Sequence, residues 1–329
     1  MNKIKKILDI QQEHIFFPDG NPIAFRFTNS RHTKVKMHKD LCEIVYCFKG
    51  HASILCNEDH IVISPGQIFT IAPYDVYCIH SDEDNLLLHF YIDLEAMGLT
   101  QNESSLLYLY VCDHFASSIQ NAALTVIKQI ILVLVYQQMH DSPTDISENR
   151  KELTKMLIRV MSEHFDWINS NKLFTASNST ADQRQRLIKI MAYCRDHFTE
   201  KLTIESLSEL VHITPNYFSQ FMKDSPYGGF KRMLGYMRCF YSQNLLLSSD
   251  FSISKIAELC GFSDMTHYNK QFSDTWHKSP SEYRKWFREY IKIETYVQEI
   301  SSDEAYDLLK DIMVDCISQN LNKYLKNFI

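Results

Sequence analysis

The stretch that decides the fold is "IAELCGFSDMTHYNKQF", residues 256–272. Its apolar residues keep helical spacing on both sides of Gly261, with a short polar turn between. That is the pattern of two helices hinged at a residue tolerant of left-handed backbone. A second copy lies upstream in "LSELVHITPNYFSQFM", residues 207–222. Leu207 matches Ile256, Ser208 matches Ala257, Glu209 matches Glu258 and Leu210 matches Leu259. His212 falls on Gly261 and Thr214 on Ser263. After one extra residue Ser219 meets Asn269, Gln220 meets Lys270 and Met222 meets Phe272.

Each copy has the grammar of a helix-turn-helix. Ser208 and Ala257 are small enough to let the second helix approach. Thr214 and Ser263 are the expected N-caps, and Pro215 suits a first helical position. The second helix of such a unit enters the major groove, while capping hydroxyls and first-turn amides hold phosphates. Between the copies, "GFKRMLGYMRCFYSQNLLLSS" is predicted to be a helix of about 20 residues. At about 1.5 Å per residue it spans ~30 Å, near the roughly 34 Å between successive major-groove faces.

Charge agrees with that reading. The whole chain carries −6, yet residues 183–292 hold 16 Lys/Arg against 11 Asp/Glu, leaving the remainder at −11. A basic module in an acidic chain points to a polyanionic partner for one part only.

At the level of motif, residues 187–288 resemble the DNA-binding domain of AraC/XylS-family transcription regulators. The signature "SISKIAELCGFSDMTHYNKQFSDTWHKSPSEYR" (252–284) carries the resemblance, with Arg238 and Leu245–Leu246 in the connecting helix. Departures are Tyr227 and His277 where the family has glycine, Met222 for phenylalanine and Ser242 for alanine. They bear on loop conformation and not on the fold. The resemblance implies that Asn216, Ser219 and Gln220 from the first recognition helix face bases, and Met265, Thr266, Asn269 and Lys270 from the second. Asn and Gln suit adenine, Lys reaches guanine, and Met or a Thr methyl touches thymine. Thr214, Lys223, Ser263 and Arg284 are expected on the DNA backbone.

Residues 16–93 read as β. "EIVYCFKG", "HASILC", "HIVISPG", "QIFTIAP" and "LLLHFYID" are short apolar runs punctuated by Gly, Pro, Asn and Asp, which suggests a sandwich or barrel. "MHKDLCEIVYCFKG" (37–50) and "SPGQIFTIAPYDVY" (64–77) resemble the cupin-type barrel that is the sensor half of many such regulators. Metal-dependent cupins use three His and one Glu. Here Lys36 and Tyr77 replace two of those histidines, leaving His38 and Glu43, and two ligands hold a catalytic metal poorly. The expectation is therefore no catalytic residue, metal or cofactor, and a pocket for a small polar effector drawn from Arg26, His38, Glu43, Tyr46, Tyr74, Tyr77 and His89. The resemblance makes a saccharide the effector and carbohydrate-utilisation genes the target.

The whole is expected to be an α+β multidomain chain. Residues 1–102 form the cupin-like sensing barrel, 103–178 a helical dimerisation region and linker, 179–293 the all-α domain with two helix-turn-helix units, and 294–329 a C-terminal helical extension. The run "AALTVIKQIILVLVYQQ" (122–138) is short for a membrane span and contains Lys128 and Gln129, so it reads as a buried or dimer-forming helix. The N-terminus shows no signal peptide, and nine cysteines without a C-x-x-C pair read as reduced structural thiols. The expectation is a cytoplasmic homodimer on double-stranded promoter DNA, acting with RNA polymerase and without a membrane, more an activator than a repressor. Alternatives are a scaffold barrel controlled by a partner, and a metal-dependent cupin enzyme with a DNA-binding tail.

Overall fold

The computed structural model describes residues 14–18, 21–38, 41–56, 59–73, 75–97, 118–140, 148–164, 181–225, 227–291 and 294–318. They divide into two compact units.

The first unit is an antiparallel sheet with helices on one face. Its strands are β1 (Ile23–His32), β2 (Lys36–Met37), β3 (Leu41–Lys49), β4 (Ala52–Cys56), β5 (Asp59–Ile63), β6 (Ile68–Ile71), β7 (Val76–His80) and β8 (Leu86–Asp93). They run in the order β5-β4-β7-β1-β8-β3-β6 and roll into a nearly closed barrel. Alternation along the strands gives the sheet two different faces. Val45, Cys47, Phe69, Ile71 and Leu87 pack inside with Ile54, Ile63 and Ile79. Cys42, Ile44, Tyr46, Leu88, Phe90 and Ile92 point the other way, onto the helices.

Those helices are α1 (Ser118–His140) and α2 (Glu148–His164). By length and composition α1 could cross a membrane. Its apolar residues from Ala123 to Val135 are instead packed against the outer face of the sheet, together with Leu153, Leu157 and Val160 of α2. The exposed positions described on α1 are Asn121, Ala122, Thr125 and His140, so the 122–138 run buries its apolar circumference within its own chain.

The C-terminal segment belongs to this same unit. After the helical unit the chain returns as β9 (Tyr296–Ile300), which pairs antiparallel with β1 from Phe27↔Ile300 to His32↔Tyr296. A final helix, Ser302–Ser318, buries Ala305 and Leu309 in the same core as α1.

The second unit is all helical. In chain order it comprises α3 (Ala181–His197), α4 (Ile204–Leu210), α5 (Pro215–Asp224), α6 (Phe230–Ser248), α7 (Ile253–Leu259), α8 (Met265–Trp276) and α9 (Pro280–Ile291); the C-terminal helix Ser302–Ser318 is then α10. Its core is aromatic: Tyr268, Phe272, Tyr283 and Phe287 are fully enclosed, and Phe272 stacks on Trp276 at 4.8 Å. The cysteines Cys42, Cys47, Cys56, Cys78, Cys194, Cys239 and Cys260 are buried free thiols. Burial pushes Cys78 and Cys260 up to about 12, so they pack as small neutral side chains.

Candidate functional site

The two turns of the sequence repeat close in the same way. His212 N donates to Glu209 O at 3.1 Å and Ile213 N to Ser208 O at 3.0 Å. In the second copy Gly261 N donates to Glu258 O at 3.0 Å and Phe262 N to Ala257 O at 2.9 Å. Both are helix ends closed through a left-handed residue, with φ of 54° at His212 and 79° at Gly261. A side chain fits at the first turn because His212 is exposed. At the second, a Cβ on Gly261 would lie 2.8 Å from Phe198 O and from Thr199 Cα, so only glycine is admitted. Arg238 braces the same place, donating to Phe198 O at 2.7 Å and Glu200 O at 2.9 Å.

The recognition helices start differently. Thr214 caps α5 as expected, its hydroxyl accepting from Tyr217 N. On α8 the expected cap, Ser263, is displaced by its neighbour. Asp264 is the N-cap, accepting from Thr266 N at 3.1 Å and His267 N at 3.0 Å. The extra residue of the second copy therefore lies before the cap, and Ser263 is that residue. A carboxylate takes the two amides that the sequence reading left for a phosphate, and those bonds hold Asp264 below the usual carboxylate range.

With that register, Asn216 pairs with Thr266, Tyr217 with His267, Ser219 with Asn269 and Gln220 with Lys270. All eight are exposed. Tyr217, 47% exposed, and His267 were missed by sequence reasoning. Shifting the alignment by one residue at the turn, as the Asp264 cap requires, brings them to matching positions. Ser219 donates back to Pro215 O, and the Gln220 amide is held by both oxygens of Asp224 at 2.8 Å. Met265 is half-buried at the first position of α8, and Lys223 is exposed in the last turn of α5. Arg284 is placed inside the unit. It donates to Leu246 O at 3.0 Å and Phe251 O at 2.7 Å, where it ties the end of α6 to the start of the second helix-turn-helix. Among the departures, His277 adopts the left-handed conformation at φ 51°, whereas Gly228 and Gly229 take up the positive φ beside Tyr227.

The barrel interior holds a buried polar chain. His38 Nε2 is 2.9 Å from Glu43 Oε2 and 3.0 Å from the Tyr77 hydroxyl, which itself donates to Glu43 Oε2. His89 Nδ1 meets Glu43 Oε1 at 2.6 Å, and its Nε2 meets the Thr28 hydroxyl at 2.9 Å. Glu43 is fully enclosed. Burial by itself would raise its carboxyl, but hydrogen bonds from His38 and His89 overcome that and hold it well below the usual range. Burial pushes His89 down against the pull of Glu43, so its neutral ring donates to a carboxylate.

Arg26 lies directly across from His89 on β1, with its guanidinium 5.7 Å from the Tyr91 ring centre. Thus Arg26, His38, Glu43, Tyr77 and His89 are brought to one face. Tyr46 is not. Three positions from Glu43 on β3, it has the opposite parity and stacks on Phe48 at 4.3 Å beneath the helices. Tyr74 lies outside the described residues. As for a metal, the imidazole nitrogens of His38 and His89 are directed at separate oxygens of one carboxylate and not at a common point. Among the described residues no three His, Cys, Asp or Glu are arranged to hold an ion.

Residues 17–152 match the family described as AraC-like ligand binding domain, and residues 207–285 match the helix-turn-helix domain family. The chain belongs to the AraC family. It is a DNA-binding transcription regulator with an N-terminal ligand-binding domain. It is 24% identical to the transcriptional activator RhaS of Enterobacter sp. (strain 638) over 275 residues, 82% of this chain and 95% of that one. Over 109 residues it is 31% identical to the uncharacterised regulator YijO of Escherichia coli (strain K12), where it spans only 38% of YijO's length and 33% of its own. The solved structure of ToxT from Vibrio cholerae aligns over 80% of this chain and 98% of that one, with 13% identity and a TM-score of 0.40.

Proposed function

We propose that the chain activates carbohydrate-utilisation genes in response to a small saccharide held in the barrel. The observation that carries this is the joining of two exposed recognition helices to a barrel that holds a buried polar chain beside its apolar core. An apolar lining would suffice for a scaffold, whereas a buried Glu–His–Tyr–His chain offers sugar hydroxyls charged and neutral partners. Arg26, opposite His89, is the member that reaches solvent, with 20% of its side chain exposed. A saccharide entering there exchanges its hydroxyls for the bonds that now run among Tyr77, His38 and Glu43. The similarity to RhaS over most of both chains supports activation.

In this reading the regulator works in the cytoplasm as a homodimer on double-stranded promoter DNA and passes the signal to RNA polymerase. Asn216, Tyr217, Ser219 and Gln220 address one major-groove segment; Thr266, His267, Asn269 and Lys270 address the next. Effector binding shifts the population toward the arrangement that places both helix pairs on DNA. It carries out no catalysis.

The test is a duplex selected from a randomised library by the full chain, followed by titration at several salt concentrations with and without candidate saccharides. Asn269→Ala is expected to relax sequence preference at one position, with a loss of about 1–3 kcal/mol. Lys270→Ala, if its contact is to phosphate, lowers the salt slope by about one. Unchanged specificity in both would overturn the recognition-helix assignment.

A second reading has its own observation. His38, Glu43, Tyr77 and His89 satisfy one another completely enough for the network to be a closed scaffold. A thermal-shift series separates the two. A saccharide at about 100 times its dissociation constant adds about 2.7 kcal/mol to the barrel, and the scaffold adds nothing.

A further inference from the structure

The connectivity makes the DNA-binding unit an insertion. The chain leaves the sensor unit after α2, forms α3 to α9, and comes back as β9 and α10. The return is built into the sensor's fabric. β9 pairs with the outer edge of β1, Ala305 and Leu309 are buried in the α1 core, and Tyr306 packs on His140 with ring centres 4.9 Å apart. Only residues 292–295 separate the end of α9 from the start of β9. Four residues reach on the order of 15 Å even when fully extended. The covalent link from the second helix-turn-helix back to the sensor is therefore a short tether.

β1, the strand that β9 pairs with, also carries residues of the candidate ligand site. Thr28, bonded to His89, sits directly opposite Glu299 of β9. One position along the same face, Arg26 lies opposite His89 and faces the Glu299 carboxylate at 4.0 Å. The Glu299 side chain is 76% exposed, while that of Arg26 is 20% exposed, so Glu299 stands at the solvent side of the site and Arg26 leads inward. An effector group that takes the Arg26 guanidinium removes the partner of Glu299.

We propose that β9–α10 is a clasp that restrains the far end of the DNA-binding unit, and that Glu299 makes it responsive to the effector through Arg26. This rests on reading the chain as a ligand-responsive regulator. The chemistry asks for an effector with an anionic group, such as the carboxylate of a sugar acid, beside its hydroxyls. A neutral sugar leaves the Arg26–Glu299 attraction in place. A guanidinium pairs with a carboxylate in a planar, two-pronged geometry that a hydroxyl cannot equal.

Two measurements on the full chain test the proposal. The first is amide hydrogen exchange across residues 296–300. Glu299→Gln is expected to speed exchange there by about two- to fivefold, in line with an exposed ion pair. Glucuronate is expected to do the same to the unmodified chain, with glucose as the uncharged control. No change with Glu299→Gln, or equal effects of the two sugars, overturns the link to Arg26.

The second is a lock. Asn29 and Gln298 face each other across β1 and β9 on the side away from Arg26. The double variant Asn29→Cys/Gln298→Cys can be compared oxidised and reduced in one preparation, so any effect of the substitutions on folding appears in both. Oxidation is expected to weaken binding to the selected duplex by about tenfold relative to the reduced form. Equal or tighter binding when oxidised overturns the restraint. If no duplex is enriched, it is the regulator reading that has failed, and the exchange comparison still decides whether Glu299 holds the clasp.

Discussion

His212 and Gly261 occupy the same left-handed turn, one repeat apart, and only the second is closed off by a neighbouring backbone. The difference assigns opposite outcomes to simple changes. His212→Gly removes the left-handed penalty of roughly 1–2 kcal/mol and returns part of it as chain entropy, for a net gain of about 0.5–1 kcal/mol. Gly261→Ala incurs that penalty and drives a methyl into Phe198 and Thr199, a loss of at least about 2 kcal/mol. Denaturant unfolding followed through the aromatic core of the helical unit measures both.

The exposed aromatic on the first recognition helix has its own consequence. Tyr217 is held out by the turn that the Thr214 cap fixes, and its ring contact, with Phe221, has centres 6.5 Å apart. Tyr217→Ala is expected to weaken binding to the selected duplex by about 1–2 kcal/mol while leaving the unfolding midpoint within about 0.5 kcal/mol of the original. Asp224→Ala frees the Gln220 amide and is expected to alter base preference at one position without a general loss of affinity. Competition between single-base variants of the duplex reads out both.

Much of the helical unit was legible from residues alone, because the repeat, the small residue of each first helix and the turn residue are local signals. The position of the second cap was not. Ser263 and Asp264 are both good capping residues, and only backbone geometry shows that Asp264 accepts from two amides. The internal bonds of Arg284 were hidden for another reason. An arginine near a recognition helix looks like a phosphate contact, and nothing local shows that the Leu246 and Phe251 carbonyls lie within its reach. In the barrel, strand parity already set Tyr46 against Glu43. The pairing of Arg26 with Glu299 joins residues separated by the entire DNA-binding unit, and no local pattern carries it.

The parity difference yields a paired test. Tyr77→Phe removes the hydroxyl that bonds Glu43 and is expected to cost about 1–2 kcal/mol and to weaken effector binding. Tyr46→Ala opens a space beneath the helices and is expected to cost about 3 kcal/mol with effector affinity unchanged. Calorimetric titration beside thermal unfolding distinguishes the two patterns.

The buried network also fixes how the sensor unit responds to acid. In the unfolded chain a histidine takes up a proton near pH 6.5 and a glutamate near pH 4.3, to within about a unit. In the folded unit both His89 and Glu43 bind protons less readily than that, His89 because it is buried and Glu43 because, against the pull of burial, His38 and His89 hydrogen-bond its charged form. The unfolded state therefore binds more protons across the window below pH 6.5, and stability falls as the pH drops. The decline begins with His89 below about pH 6.5 and steepens below about pH 4.3 as the unfolded Glu43 protonates; it levels off only beneath the folded pKa of Glu43. Glu43→Gln is expected to destabilise the barrel by about 2–4 kcal/mol at pH 7, because it leaves His38, Tyr77 and His89 facing a neutral amide. The same variant loses the steep part of the acid dependence and keeps a weaker one from His89. Unfolding midpoints of both proteins between pH 7 and pH 4 measure this, and parallel curves would remove Glu43 as the ionised centre of the network.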